Sequence, residues 1–555
     1  MTNHIELRLF APYNKGAVLI GCFADGQDIP MKKGEDGYFR AQVDLDDGHY
    51  SYKFRVQSKS FFLEPDQWIE VIDSRASHVD ESDQTAVLHV KDGKPIVDDY
   101  VWHHDDKALP QNEELIIYEI LVSDFSGGEN DPNPRGQLSH ITEKLDYLCE
   151  LGINAVELMP IQEFPGEQGW GYNTHHYFAV ESAYGTSKDL KYLVDECHAR
   201  GIQVILDIIL NHSGSEAPLT KIDYSYWYRS EPKDPDQSWG PEFDYDHYDE
   251  NLNLCPAQEF VKDVLHFWIT EYHIDGFRFD AVSQMGHFEF LGQLTEETSR
   301  QAQPKPFYNI GELIPESPDA TNLEGPLDAC WRDGFLHQLR PLLWGDETDI
   351  ETVKELVDAK RSGYLGAVNA INYLSNHDHD RIMVQLANHE IFDEAAFKRA
   401  KLGAVLVMTA MGVPLIWMGE EFGDSHPKTL EPTKIDWSLL KNDRNHDLMQ
   451  HYRGLINLRK NNHALRTENV DFFYEDPDSK VLAYIRWNDE GSRVVVVVNF
   501  SDQYLADYEV QNFPQGNQWH EWISNYDVEI YDGVWVTDLP EYEAKVLVLS
   551  GAEKS

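Results

Sequence analysis

The chain is poor in cysteine and in basic residues, and it has no long apolar run. Five cysteines are scattered through 555 residues without a CxxC pair, so the sequence predicts neither a disulfide framework nor a cysteine zinc site. No apolar stretch reaches the roughly 18 residues that a membrane span needs. The first ten residues alternate like a strand and lack a basic segment followed by an apolar one, so we expect no secretion signal and a cytoplasmic location.

The scarcity of basic residues gives the chain a strong negative charge. It has 46 Lys and Arg against 97 Asp and Glu, a formal net charge of -51. This balance argues against nucleic acid or an anionic membrane as a partner. A neutral polymer or a small molecule is the expected partner. The content of 41% hydrophobic and 12% aromatic residues is sufficient for folded cores, and the length predicts two to four domains. The oligomeric state stays open.

The hydrophobic pattern changes twice along the chain. Alternating runs separated by Asp-Gly turns predict an N-terminal β-sandwich over residues 1–100, followed by a linker at 101–112. Strands alternating with amphipathic helices over 113–465 predict an α/β fold, a (β/α)8 TIM barrel. Strand-like runs return over 466–555 and predict a C-terminal β-sandwich.

Polar residues that could carry chemistry follow several of the predicted barrel strands. Asp280, Glu312 and Asp378 each stand at the end of a short apolar run. A carboxylate at the end of a buried strand is costly unless it faces a polar cleft, so several in series indicate one shared site. Cleavage of a glycoside requires one carboxylate beside the sugar carbon and one protonated carboxyl beside the leaving oxygen. The sequence therefore predicts a carbohydrate-active enzyme.

The order of these motifs resembles the alpha-amylase family, glycoside hydrolase family 13, across about 350 residues of the middle domain. The motifs are Trp170-Gly-Tyr-Asn, Asp207 to His212, Gly276 to Asp280, Asn309 to Glu312 and Leu374 to Asp378. The N-terminal module is similar to the glucan-binding-related module of branching, debranching and trehalose-releasing members. The resemblance implies cleavage of an α-glucan, starch or glycogen, or of a maltooligosaccharide, through a covalent intermediate.

The resemblance also implies a role for each site residue. Asp280 is the nucleophile, Glu312 the acid/base, and Asp378 the carboxylate that holds the sugar hydroxyls. Tyr172 stacks on sugar, and His212 and His377 donate to its hydroxyls. Arg278, two residues before Asp280 on the same strand face, is expected to lower the pKa of Asp280. Asp207 is expected to be structural and to bond near Arg278.

The metal expectation depends on two positions. Asn211 matches a position that ligates calcium in many alpha-amylases. The Lys-His pair that usually follows the nucleophile is Ser283-Gln284 here, so no histidine ligand follows Asp280. We therefore predict no metal ligands and no cofactor. Calcium is the one ion whose binding remains an alternative, because of the match at Asn211.

The remaining motifs bear on which reaction the chain catalyses. Branching enzymes commonly follow the acid/base with an acid or serine and the third carboxylate with glutamate, whereas Leu313 and His379 stand here. Trehalose-releasing enzymes usually end the last motif with glutamine, where this chain again has His379. The prediction is an endo-acting hydrolase of α-1,4-glucosidic bonds. A glycogen branching enzyme is the alternative, followed by a maltooligosyltrehalose trehalohydrolase and a catalytically silent glucan-binding protein.

Overall fold

The computed structural model describes residues 3–24, 27–80, 82–127, 135–166, 169–345, 349–516 and 518–549. Two antiparallel sheets form the N-terminal part, as the alternation predicted. The strands of the described residues here are β1 Asn3–Phe10, β2 Ala17–Gly21, β3 Ile29–Pro30, β4 Lys32–Lys33, β5 Tyr38–Leu45, β6 Gly48–Gln57, β7 Trp68–Val71, β8 Val79–Asp80, β9 Thr85–Lys91 and β10 Lys94–Ile96. Strands β1, β5 and β4 make one sheet, and β10, β9, β6, β2 and β3, with β7 and β8 on its sides, make the other.

Eight parallel strands close into a barrel in the middle of the chain, which confirms the predicted (β/α)8 fold. Short apolar runs can form these strands because both faces of each strand are buried, one in the barrel and one under the helices. The barrel strands are β11 Ile117–Ile120, β12 Ala155–Leu158, β15 Gln203–Ile208, β16 Gly276–Phe279, β17 Tyr308–Gly311, β18 Ala329–Trp331, β19 Ala370–Tyr373 and β20 Val413–Trp417. An antiparallel pair, β13 Gln162–Glu163 and β14 His176–Val180, extends the loop after β12.

Amphipathic helices surround the barrel and bury their apolar stripe against it. The helix α2, Leu138–Leu151, ends at Gly152 in the left-handed conformation that glycine adopts readily. The α-helices are α1 Val122–Phe125, α2 Leu138–Leu151, α3 Ser187–Ala199, α4 Pro218–Trp227, α5 Pro256–Tyr272, α6 Val282–Met285, α7 Phe288–Ala302, α8 Asp333–Trp344, α9 Ile350–Val357, α10 Ile382–Asn388, α11 Asp393–Thr409 and α12 Asp443–Asn461. Among the described residues, none of these helices is long and apolar enough to cross a membrane.

A C-terminal β domain packs beside α11 and α12. Its strands are β21 Val470–Asp476, β22 Val481–Trp487, β23 Arg493–Asn499, β24 Leu505–Val510, β25 Trp519–Glu521, β26 Tyr526–Val528, β27 Trp535–Leu539 and β28 Glu543–Leu549. The larger sheet has the order β21-β22-β23-β28-β25-β26, and β24 pairs with β27 in a second sheet. The chain is therefore a barrel flanked by two β domains.

The register of the barrel strands determines which residues meet at its carboxyl end. Phe279 of β16 pairs with Gly311 of β17, so the residues that follow, Asp280 and Glu312, leave the barrel side by side. Asp207 of β15 pairs with Arg278 of β16 in the same way. The carboxyl ends of the strands are where barrel enzymes carry their chemistry.

Candidate active site

A cleft of about 650 Å3 opens at the carboxyl end of the barrel. Of the residues singled out from the sequence, Asp280, Glu312, Asp378, Tyr172, His212 and His377 line this cleft. Two further aromatic side chains, Trp170 and Trp239, line it as well, and Trp239 is exposed. The cleft therefore combines carboxylates with aromatic faces, which is the composition that a sugar site requires.

One buried guanidinium connects the carboxylates at the base of the cleft. Arg278 is fully buried, and its Nη1 lies 2.9 Å from Oδ1 of Asp280. Its Nη2 lies 3.0 Å from Oε2 of Glu312. Nη1 also donates to both carboxylate oxygens of Asp207, at 2.9 Å each. The Arg278 side chain is thus the common partner of three carboxylates and fixes their positions relative to one another.

The charge balance of this cluster differs from the sequence expectation for Asp280. Burial raises the pKa of Asp280; Arg278 opposes that effect, while Glu312 and Asp207 add to it. The net pKa of Asp280 is well above its ordinary value. The expectation that Arg278 lowers the pKa of Asp280 holds for its own contribution, but burial, Glu312 and Asp207 outweigh it, because one cation is shared among three carboxylates. A proton bound in such a cluster belongs to the group of carboxyls rather than to one of them.

The backbone after Asp280 brings a further donor to Glu312. Ala281 has a φ of 46°, in the left-handed region that side chains other than glycine rarely adopt. In this conformation the Ala281 N–H donates to Oε2 of Glu312 at 2.9 Å. Because Oε2 also faces the Arg278 guanidinium, Oε1 is the oxygen of Glu312 that can carry a proton. Backbone strain of this kind is concentrated at functional sites.

Tyr172 and His377 form a second hydrogen-bonded pair, which adjoins the Arg278 cluster through Asp207. The Tyr172 hydroxyl donates to Oδ2 of Asp207 at 2.6 Å, so it accepts at 2.8 Å from Nε2 of His377. Nδ1 of His377 faces Oε1 of Glu119 at 2.6 Å. Burial alone would lower the pKa of His377, but Asp378 and Glu119 raise it to about 9. His377 is therefore a cation at neutral pH that donates from both nitrogens.

Asp378 stands next to this cation at the rim of the cleft. Its Oδ2 lies 3.3 Å from Nε2 of His377, and its Oδ1 lies 3.6 Å from Nζ of Lys428. Burial would raise the pKa of Asp378, but His377, Arg278 and Lys428 lower it below its usual value. Asp378 is thus ionised, and its side chain is 35% exposed, so its oxygens can accept hydrogen bonds from a sugar.

His212 and Asn211 form a separate contact at the edge of the cleft. Nδ1 of His212 lies 2.8 Å from Oδ1 of Asn211. Burial lowers the pKa of His212 to about 4, so the ring is neutral at pH 7. Because Oδ1 of Asn211 is an acceptor, Nδ1 of His212 carries the proton, and the lone pair of Nε2 is the position of the neutral ring that can still accept a hydrogen bond.

Four residues that sequence reasoning missed take part in the site. Glu119 on β11 bonds to His377, and Trp331 on β18 stacks on Arg278, with 4.4 Å between the guanidinium carbon and the ring centroid. Lys428 bonds to the backbone oxygen of Asp378, and Trp239 extends the cleft. A lone acid in the buried run Ile117-Tyr-Glu-Ile was a usable signal for Glu119. The other three lie in loops or in a short strand that no pattern distinguishes.

Comparisons with known proteins agree with this geometry. Residues 119–251 and 344–446 match the model described as "Alpha amylase, catalytic domain", and residues 474–549 match "Alpha amylase, C-terminal all-beta domain". The segment between the two catalytic matches contains Asp280 and Glu312, so their assignment depends on the motifs and on the barrel geometry.

Curated relatives and solved structures extend over most of the chain. A malto-oligosyltrehalose trehalohydrolase of Saccharolobus solfataricus is 24% identical over 84% of this chain and 88% of that protein. A 1,4-alpha-glucan branching enzyme GlgB of Nitrosomonas europaea is 26% identical over 95% of this chain and 75% of its own length. The structure of pullulanase type I from Bacillus subtilis, complexed with maltose, matches with a TM-score of 0.83 at 21% identity, covering 99% of this chain and 85% of that one.

Proposed function

Because the chain belongs to the alpha-amylase family, glycoside hydrolase family 13, we propose that it is an endo-acting hydrolase of the α-1,4-glucosidic bonds of an α-glucan. One observation carries the proposal. Asp280 and Glu312 leave neighbouring strands, contact one guanidinium, and line a cleft with aromatic walls. This arrangement supplies the two carboxyl groups that retaining glycosidases use.

In the first step, the Asp280 carboxylate attacks the anomeric carbon of the bound sugar. The bond from that carbon to the glycosidic oxygen breaks, and a covalent glycosyl ester of Asp280 forms. Glu312 donates its proton to the departing oxygen from Oε1, because Oε2 is held by the Ala281 N–H and by Arg278. Arg278 stays paired with both carboxylates, so the charge that moves between them remains next to the same cation.

In the second step, Glu312 acts as the base. It takes a proton from a water molecule, whose oxygen attacks the anomeric carbon and releases Asp280 as a carboxylate. The cationic His377 and the ionised Asp378 bind hydroxyls of the same sugar, and the His212 ring adds a neutral partner. The 2-hydroxyl bonds that tighten in the transition state contribute several kcal/mol.

The choice of hydrolysis over branching depends on the residues that follow the catalytic motifs. Leu313 and His379 stand where branching enzymes commonly have an acid or serine and a glutamate. A trehalohydrolase is the second candidate, because the similarity to the malto-oligosyltrehalose trehalohydrolase extends over 88% of the length of that enzyme. The chemistry at Asp280 is the same for all of these enzymes, so only the products separate them.

The test is the product pattern from amylose. A hydrolase raises the number of reducing ends as iodine staining falls, because each cleavage leaves a new hemiacetal. A branching enzyme changes the iodine colour with almost no new reducing ends and creates isoamylase-sensitive α-1,6 links. A trehalohydrolase releases trehalose from a trehalose-capped maltooligosaccharide and leaves amylose largely intact.

We expect the first pattern. Branching or trehalose release as the main reaction would overturn the proposed specificity while leaving the catalytic assignment of Asp280 and Glu312 in place. A protein that binds glucan without any turnover of a chromogenic α-glucan would overturn both, and it would correspond to the silent binding protein. The Glu312→Gln variant serves as the catalytically impaired control in each assay.

A further inference from the structure

Three potential metal ligands meet beside the cleft, outside the catalytic cluster. Asp333 and His337 lie one helical turn apart on α8, so their side chains share one face of the helix. His379 comes from the loop after β19, directly after Asp378, and it lines the cleft. One ligand atom from each of the three residues lies within 4.8 Å of the others.

The hydrogen bonds of His379 leave a nitrogen lone pair facing this cluster. Oδ1 of Asn376 accepts from the Asp378 backbone N–H at 3.1 Å, and Nδ1 of His379 lies 2.8 Å from the same oxygen. Because that oxygen is an acceptor, Nδ1 of His379 is the protonated nitrogen, and Nε2 carries the lone pair. Nε2 is the atom that faces Oδ1 of Asp333, at 3.8 Å. Metal-binding histidines are commonly oriented by such a bond from the other ring nitrogen.

The three side chains are close enough to bind one tetrahedral ion if they move together. Ligand bonds of about 2.0 to 2.1 Å at tetrahedral angles place neighbouring ligand atoms about 3.3 Å apart. Nε2 of His337 lies 3.1 Å from Oδ2 of Asp333, and Nε2 of His379 lies 3.8 Å from Oδ1, the other oxygen of the same carboxylate. One ligand atom of each residue lies within 4.8 Å of the others, so the widest of these separations has to shorten by up to about 1.5 Å. The His337 side chain is 60% exposed and is free to turn toward the ion.

We propose that Asp333, His337 and His379 form a binding site for a divalent transition-metal ion of the zinc class at the rim of the active cleft. Two imidazoles and one carboxylate suit such an ion, whereas calcium prefers a shell of oxygen ligands. Water completes the fourth position. The site differs from the sequence expectation, which considered only Asn211 and cysteine patterns.

The competing explanation is an ordinary surface pair between Asp333 and His337. Such exposed pairs at i and i+4 contribute little to stability. A surface pair accounts for the 3.1 Å distance between Nε2 of His337 and Oδ2 of Asp333. It does not explain why the hydrogen bond to Asn376 turns the lone pair of His379 toward the same carboxylate. A binding measurement separates the two explanations.

The experiment titrates the chelator-treated full-length protein with Zn2+ in a calorimeter and with Co2+ in an absorption spectrometer. We expect one site of higher affinity than the rest and a tetrahedral Co2+ spectrum. His337→Ala should weaken that site by more than about tenfold, because removal of even an outer partner of a metal ligand costs that much. The matched control is His266→Ala, which removes an exposed histidine from α5.

Wild-type affinity for Zn2+ in both variants would overturn the proposal, because it would mean that Zn2+ binds to surface carboxylates and not to His337. A crystal soaked in Zn2+ gives a measurement that does not depend on any variant. An anomalous peak between Asp333, His337 and His379 supports the site, and peaks only at other positions contradict it. Metal-free melting temperatures equal to that of the wild type establish that both variants fold.

Discussion

At the scale of single residues, the site depends on one buried cation. Arg278 contacts Asp207, Asp280 and Glu312, and it is covered by the ring of Trp331. A buried charge is tolerated when opposite charges and hydrogen bonds surround it, and here they also define the reaction centre. The roles of Asp280 and Glu312 follow from their positions on either side of this guanidinium.

Asp280→Asn and Glu312→Gln should each abolish turnover while leaving the fold intact. Both substitutions keep the size of the side chain, and each removes one of two indispensable groups, so losses of about a thousandfold or more are expected. Rates on a chromogenic α-glucan and melting temperatures check this. Asp489→Asn, a change at an exposed acid far along the chain, is the control. Activity above about a tenth of the wild-type rate in either variant would contradict the assigned roles.

His377 should make the protein less stable as the pH rises. Its pKa is raised from 6.5 to about 9, so its contribution is fully present below pH 6.5 and is lost as the pH passes through about 9. The shift corresponds to about 3 kcal/mol. The melting temperature of the wild type minus that of His377→Gln should therefore shrink between pH 6.5 and pH 9. A difference in melting temperature that stays constant across this range would argue against a cationic His377. His266→Gln is the control, and an equal decrease in the difference between the wild type and this variant would argue against it as well.

At the scale of structural elements, the loop after β12 carries two of the aromatic residues of the cleft. Trp170 and Tyr172 flank Gly171, which has a φ of 93°. A Cβ atom at Gly171 would lie 2.6 Å from the backbone oxygen of Pro160, so the loop has room for glycine only. The position of Tyr172 over Asp207 and His377 depends on this turn.

Gly171→Ala should therefore disturb both the loop and the activity. The left-handed conformation costs about 1 to 2 kcal/mol for a residue with a Cβ atom, and the contact with Pro160 adds to that. We expect a lower melting temperature and a higher KM for glucan. Gly454→Ala is the matched control, because Gly454 lies in α12 with nothing within 4 Å of the added atom. Equal behaviour of the two variants would show that Gly171 is dispensable.

The elements themselves were predictable, whereas several of their contacts were not. Strand-end acids such as Asp280 and Glu312 stand out in sequence because burial makes a carboxylate there costly without a partner. Lys428 and Trp331 do not stand out, since a lysine in a loop and a tryptophan in a three-residue strand have many ordinary explanations. The cluster of Asp333, His337 and His379 was missed because the barrel, not chain spacing, brings α8 to the loop after β19.

The shared cation also explains why the charge state of Asp280 could not be read from its neighbours in the chain. The sequence shows Arg278 two residues away, but it does not show that Asp207 and Glu312 bind the same guanidinium. The balance among these groups depends on the strand register, which places Asp207 beside Arg278 and Asp280 beside Glu312. Motif reasoning identifies the members of such a cluster, but their pKa values depend on the folded geometry.

At the scale of the whole molecule, the charge of -51 is the dominant property. Like charges on one surface repel each other and destabilise the compact state, and salt screens this repulsion over about 10 Å at 0.1 M. The melting temperature should therefore rise between low and molar sodium chloride. A flat or falling melting temperature over that range would contradict the prediction, and a protein of similar size and near-zero net charge provides the comparison.

The proposed reaction passes through a covalent glycosyl ester of Asp280, and this ester can be trapped. A 5-fluoro-α-maltosyl fluoride glycosylates a retaining enzyme and slows the release of the sugar, so the ester can be located by mass spectrometry of proteolytic peptides. We expect one maltosyl adduct on the peptide that contains Asp280, and no adduct in the Asp280→Asn variant. Glucan turnover by the wild type with no adduct, or with the adduct on a different residue, would contradict this expectation.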